Sequence, residues 1–265
     1  MFGQFLRQCP EQAQLLPRGL ILLYHRVSRG DDPFALKVRP EIFESQLQVV
    51  GDHWPVLPIA EGWRRVQESI PGCWVAISFD DGYRDFMQAA WPSLSQRGFA
   101  ATVFACTHRP EQEFWWDRLT DPARQPELRT SLDPQLDAPN RGDALRLTPH
   151  ELAWLARQPG CQVGNHSHRH LSLPGLCESE RDHELQQARQ LLCLWTGQSV
   201  EGLAYPYGDL DEATRATAAR HAEWACTVTP DLVWKHSDPY GLPRAWVPNL
   251  EGKDFYRWLR RLGLS

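Results

Sequence analysis

Three short runs of this chain, residues 19–24, 73–79 and 100–105, are apolar at nearly every position rather than at alternate ones. A strand with one wet face shows alternation, so continuous apolar runs of this length indicate strands covered on both faces. Segments of helical spacing lie between them. Residues 40–50 begin with Pro40 in a first turn and repeat Ile42, Phe43, Leu47 and Val50. Residues 83–96 form a second candidate helix, bent near Pro92, and Thr148-Pro149-His150-Glu151 is a capping box leading a third to about residue 158. Residues 178–195 and 211–221 continue the pattern, and 252–262 read as a terminal helix. Further strands are expected at 56–59, 162–165, 203–205 and 224–228. Strands alternating with helices predict an α/β fold, a parallel sheet or barrel with helices outside, whose chemistry collects at the C-terminal strand ends. The expected organisation is one domain over 1–265, with a polar, proline-rich insertion at about 108–147.

The strand ends carry unusual residues. Ser78-Phe79-Asp80-Asp81-Gly82 closes the second run, and two carboxylates at a buried strand end are costly unless something neutralises them. Gly82 permits the turn that would bring both to one cleft, although an aspartate before a helix is also a common N-cap. Asn165-His166-Ser167-His168-Arg169-His170 follows, with His166 and His170 four residues apart. One carboxylate with two histidines makes a cation site that keeps a position open for water, and leaves the other carboxylate as a base. His168 is left outside the ligand set. Tyr205-Pro206-Tyr207-Gly208 is either a plain turn or a rigid one that aims the Tyr207 N–H at a developing oxyanion.

The net charge of −5 argues against a nucleic-acid groove, and twelve tryptophans favour a sugar partner. Seven cysteines without CxxC spacing point to a reducing compartment. No secretion signal or apolar span of membrane length is visible, so the expected location is cytoplasmic; oligomeric state is not readable.

Ser-Phe-Asp-Asp-Gly, His-Ser-x-x-His and Tyr-Pro-Tyr-Gly, in this order, resemble the leading motifs of the polysaccharide deacetylases, the NodB-homology type of carbohydrate esterase. The resemblance covers about residues 19–250. It implies an irregular (β/α) barrel of about seven strands and an acetylated saccharide as substrate. It makes Asp80 the general base and Asp81, His166 and His170 ligands of a divalent ion, usually Zn2+. Two features depart from the family. Its supporting arginine is replaced by Ala204, and its late Leu-x-His motif is missing. Leu23-Tyr24-His25-Arg26-Val27, however, resembles a permuted subgroup that includes poly-N-acetylglucosamine deacetylases, which makes His25 the candidate general acid. Leu242-Pro243-Arg244 offers Arg244 for the lost arginine. Residues 114–117, with Trp115 and Trp116, resemble a segment in relatives tied to surface-saccharide synthesis and are either a substrate wall or packing for the insertion. The implied activity is removal of N-acetyl (or O-acetyl) groups from a saccharide, such as a surface-polysaccharide precursor. A catalytically impaired saccharide-binding domain and an amidase acting on another small acylated molecule stay open.

Overall fold

The computed structural model describes residues 16–30, 32–118, 123 and 144–264. Most of the expected insertion, and the N-terminal stretch read for a leader, lie outside the described residues.

Seven strands form one sheet: β1 (Arg18–Tyr24), β4 (Cys73–Phe79), β5 (Ala101–Ala105), β6 (Cys161–Asn165), β7 (Gly202–Ala204), β8 (Trp224–Cys226) and β9 (Ala245–Trp246). Their order is β8-β7-β6-β5-β4-β1-β9, and every pairing is parallel. Two short strands, β2 (Arg26–Val27) and β3 (Lys37–Val38), pair separately. The sheet curls until its edges approach. Leu242 bridges to Cys226 of β8, and three residues later the same segment joins β1 as β9.

Because side chains alternate along a strand, the curled sheet sorts its residues into two sets. Leu20, Leu22, Tyr24, Val75, Ile77, Phe79 and Ala245 pack outward with Ile42, Phe43, Leu47 and Val50 of the helix Pro40–His53. Ile21, Trp74, Ala76, Phe104, Cys226 and Leu242 fill the inside of the barrel. Continuing the inner set of β4 upward gives Ser78 and then Asp80, so the alternation itself delivers Asp80 to the mouth.

Two expected elements differ. Residues 56–59 are not a strand. Val56 makes a single bridge to Val75, and the helix Ile59–Gln67 starts directly after Pro58, which has no N–H for a ladder. The helix expected from Tyr83 begins later, as a π-helical turn Phe86–Ala90 that passes into the helix Trp91–Gln96. Pro92 cannot donate to the carbonyl one α-turn back, and the wider turn absorbs that loss. Neither Asp80 nor Asp81 caps this helix, whose preceding residue is Asp85.

Candidate active site

Asp80 and Asp81 leave β4 as neighbours and would face opposite ways on a straight strand. The chain turns instead, with φ +71° at Asp81 and +68° at Gly82. A Cβ on Gly82 would also stand 3.0 Å from the Ala105 Cβ, so this position takes glycine for both conformation and space. Ser167, His170 and Tyr207 share the left-handed region, at +64°, +61° and +61°. Such backbone costs on the order of 1–3 kcal/mol per residue and persists where surrounding structure over-determines it. Here it gathers at the ends of β4, β6 and β7.

Both carboxylates are buried, at 3% exposure each, and their surroundings divide them. Asp81 Oδ1 lies 3.3 Å from His166 Nε2 and 3.2 Å from His170 Nε2. It has no hydrogen-bond partner among the described residues despite those approaches. A tetrahedral ion with bonds of about 2.0–2.1 Å sets its ligands about 3.3 Å apart, which is this spacing. The ligand atoms of Asp81, His166 and His170 all lie within 4.8 Å of one another. His166 Nδ1 lies 2.8 Å from the Ala204 carbonyl, which only accepts, so Nδ1 carries the proton and Nε2 presents its lone pair inward. The residues present therefore fit a divalent cation. Burial alone would lift Asp81, yet the two imidazoles hold it well below the ordinary carboxylate range. Burial pushes His166 and His170 down. At His166 the charges of Asp80 and Asp81 overcome that and raise it, whereas His170 stays lowered. The pocket favours positive charge, as a proton or as a metal ion.

Asp80 belongs to a different partner. Arg244, fully buried just before β9, donates from Nη1 to Oδ1 and from Nη2 to Oδ2 of Asp80, both at 2.6 Å. Its Nε donates to the Thr227 carbonyl at 2.9 Å, and its guanidinium lies 5.4 Å from the Phe104 ring centre. Asp80 is thus held below the carboxylate range, the burial that would raise it being outweighed by Arg244 and His166. The position left empty at Ala204 is answered from the opposite edge of the sheet. Ala204 meanwhile supplies its carbonyl to His166.

His25 stands one residue past β1, half-buried, its ring 4.6 Å from that of Trp246. Burial lowers its pKa against the pull of Asp81 and Asp80. Tyr207 lies in the turn Pro206–Gly208, its ring 4.6 Å from that of His170.

Trp116, read from sequence as either substrate wall or packing, lies inside the structure. It is 2% exposed, stacks on Phe114 at 4.0 Å, and stands 4.6 Å from the His170 ring. Its indole N–H donates to the Tyr83 hydroxyl at 3.0 Å, which in turn bonds the Asp117 carboxylate. Burial lifts the Asp117 carboxyl to about 7 against the pull of Arg26 and Tyr83. Packing is what Trp116 does: it braces His170. Trp115 is half-buried, edge-on to Trp116. His168 bonds Thr107 Oγ1 through Nδ1 and is not in the triad.

Glu184 was not anticipated. It is fully buried on the helix Glu178–Thr196 and accepts from the Arg169 backbone N–H at 2.7 Å and from the Arg169 guanidinium. Asn165 donates to the Leu185 carbonyl, Ser167 N–H to Asn165 Oδ1, and His170 N–H to Ser167 Oγ. The helix thereby clamps the loop that presents both histidines. A carboxylate beside Leu185 on the buried face was the readable signal. Glu184→Gln would set an amide N–H against the guanidinium. We expect affinity for a divalent ion at the Asp81, His166 and His170 cluster to fall about 10–100-fold, as for other groups supporting metal ligands. Chelator competition measures this, and unchanged affinity would reduce Glu184 to helix packing.

The polysaccharide deacetylase family model matches residues 69–223, more than half of the 265-residue chain, and this chain belongs to that family. A Bacillus subtilis (strain 168) protein named "Putative polysaccharide deacetylase YxkH" is 25% identical over 248 residues, covering 91% of this chain and 76% of that one. Among solved structures, the deacetylase PplD of Streptococcus pyogenes, in complex with acetate, superposes with a TM-score of 0.73 at 21% identity, covering 93% of this chain and 99% of that one. IcaB from Ammonifex degensii gives a TM-score of 0.73 at 17% identity, covering 94% and 98%. The fold is the irregular (β/α) barrel of these deacetylases, as expected. No helix among the described residues is long and apolar enough to cross a membrane.

Proposed function

We propose that this chain is a metal-dependent hydrolase that removes acetyl groups, N-acetyl foremost, from a saccharide. The observation carrying the proposal is the division of the two carboxylates. Asp81 Oδ1 faces two imidazole Nε2 atoms at 3.2 and 3.3 Å, while Asp80 is chelated by Arg244 at 2.6 Å. Asp81, His166 and His170 would hold the divalent ion, for which the mixed N/O donor set suits Zn2+. That ion supplies Lewis acidity to the acyl oxygen and to the attacking water.

The chain's own groups do the rest. Arg244 keeps Asp80 ionised, ready to take a proton from the water as it adds to the acyl carbon. The oxyanion that develops on that carbon is met by the Tyr207 backbone N–H, aimed by the constrained Pro206–Gly208 turn. His25, protonated, gives its proton to the amide nitrogen as the C–N bond breaks. Acetate and the free amine leave, with one water consumed. Arg244 on Asp80 stands in for the arginine that position 204 lacks, which supports a catalytic site over a binding-only domain. The Cys73, Cys106, Cys161, Cys177, Cys193 and Cys226 thiols are all free, which suits a reducing compartment.

The test pairs metal analysis with acetate release from a panel of N-acetylhexosamine oligomers and non-sugar acetamides. We expect about one zinc per chain at a catalytic site of this ligand set, with release abolished by chelation, restored by zinc and confined to the sugars. Preference for a non-sugar amide would turn the assignment to the amidase alternative. A zinc-loaded protein that releases no acetate from any substrate would overturn it.

A further inference from the structure

We propose that the indole of Trp246 is the platform on which the sugar ring bearing the acetamido group stacks; this rests on the hydrolase reading above and extends it to the substrate's orientation. β9 lies beside β1 with Trp246 opposite Leu23. Ala245 and Val247 point into the outer core. Arg244 points inward to Asp80. Side chains alternate, so Trp246 shares the inner face with Arg244, one step nearer the mouth. Its ring stands 4.6 Å from that of His25, tilted by 35°. It is 42% exposed, whereas Trp116, the indole against His170, is 2% exposed. Of these two indoles, one is spent on packing and the other is offered to solvent.

The chemistry decides what the exposed one receives. Hydrolysis splits the amide into two halves that must lie in different directions. The acetyl half belongs with Asp81, His166 and His170, a side closed by Tyr207 and Trp116. The nitrogen must reach His25 to collect its proton, and the nitrogen carries the sugar. A ring whose amino group meets His25 lies beside the indole that His25 touches. Pyranose rings present an apolar C–H face, and a broad aromatic surface with wet edges complements it.

The two products separate the two halves experimentally. Zinc-loaded wild type, Trp246→Ala and Trp246→Phe are titrated by calorimetry with acetate and with the glucosamine tetramer, and zinc affinity is measured in parallel. For Trp246→Ala we expect tetramer affinity to fall about tenfold while acetate and zinc binding stay as in wild type. Trp246→Phe, which keeps an aromatic face, is expected to recover most of the loss. Undiminished tetramer binding in Trp246→Ala overturns the platform, and so does a parallel loss for acetate, which would mean a distorted site. If wild type releases acetate from sugars in either of these cases, the hydrolase reading survives and only the platform falls. If zinc-loaded wild type binds neither product and releases no acetate from any sugar, both fall.

Discussion

Arg244→Ala is expected to give a protein that still takes up zinc but has lost most of its turnover and much of its stability. The guanidinium and the Asp80 carboxylate form a buried bidentate pair. Removing one partner of such a pair costs about 3–5 kcal/mol, because the other charge stays buried and unpaired. Asp81, His166 and His170 do not contact Arg244 through any of its hydrogen bonds, so metal content is expected to hold. The titration of Asp80 changes in a definite direction. Arg244 lowers the Asp80 pKa and burial raises it, so losing Arg244 moves it up. The acid limb of the bell-shaped pH–rate profile then shifts to higher pH. Stability follows the same sign. In wild type the folded Asp80 pKa is below its unfolded value of about 3.9, so the contribution is complete above that pH and is lost as pH falls through the depressed folded value. The variant lacks this acid-labile increment. Arg244→Lys keeps the charge but not the two-pronged geometry, and is expected to recover stability only in part. Urea melts, zinc content and pH–rate profiles check the set. Wild-type turnover and an unmoved acid limb in Arg244→Ala would sink the supporting role.

The second large effect is a contrast between neighbours. Asp80→Asn is expected to retain zinc while turnover falls about 10²–10⁴-fold, the range for loss of a positioned base. His170→Ala removes one of the three proposed protein ligands and is expected to lose the metal, with turnover lost in consequence. Asp80→Asn also strands the Arg244 charge, so its stability must be read beside the Arg244→Ala/Asp80→Asn double variant. If the pair is coupled, the double variant is more stable than the sum of the single losses predicts. A metal-replete but inactive His170→Ala would transfer the ligand role elsewhere, and a metal-free Asp80→Asn would undo the division of the two carboxylates.

Much of this site was legible because it is local. Asp80, Asp81 and Gly82 are consecutive, and the strand before them is apolar on both faces, so their place at a buried strand end follows from the chain. His166 and His170 are separated by one short loop past β6, and Tyr207 lies in a turn defined by its own proline and glycine. The strand–helix alternation likewise needs only neighbours in sequence. Residues 56–59 misled because the ladder stops almost at once: Leu57 N–H donates to the Val75 carbonyl, but Pro58 has no N–H to continue and the helix begins at Ile59. The late helix start came from Tyr83, whose bridge to Arg146 holds it out of the helix.

The assignments that depended on closure of the barrel were not local. Arg244 was a candidate from sequence, but only the curl of the sheet, which carries one segment from β8 to β1, sets its guanidinium on Asp80. Trp246 follows from that closure, because its inward face is defined by the strand it joins. Trp116 reads from sequence as either wall or packing, and only the structure shows it buried, bonded to Tyr83 and set against His170. Sequence alone thus determined the barrel class and the family and named the carboxylate–histidine set as a candidate, because these rest on residues a few positions apart. The tertiary structure alone decided how the guanidinium reaches Asp80 and which indole faces solvent: the first depends on a contact across more than 160 residues of chain, and the second on packing across the closed barrel, neither of which a local pattern encodes.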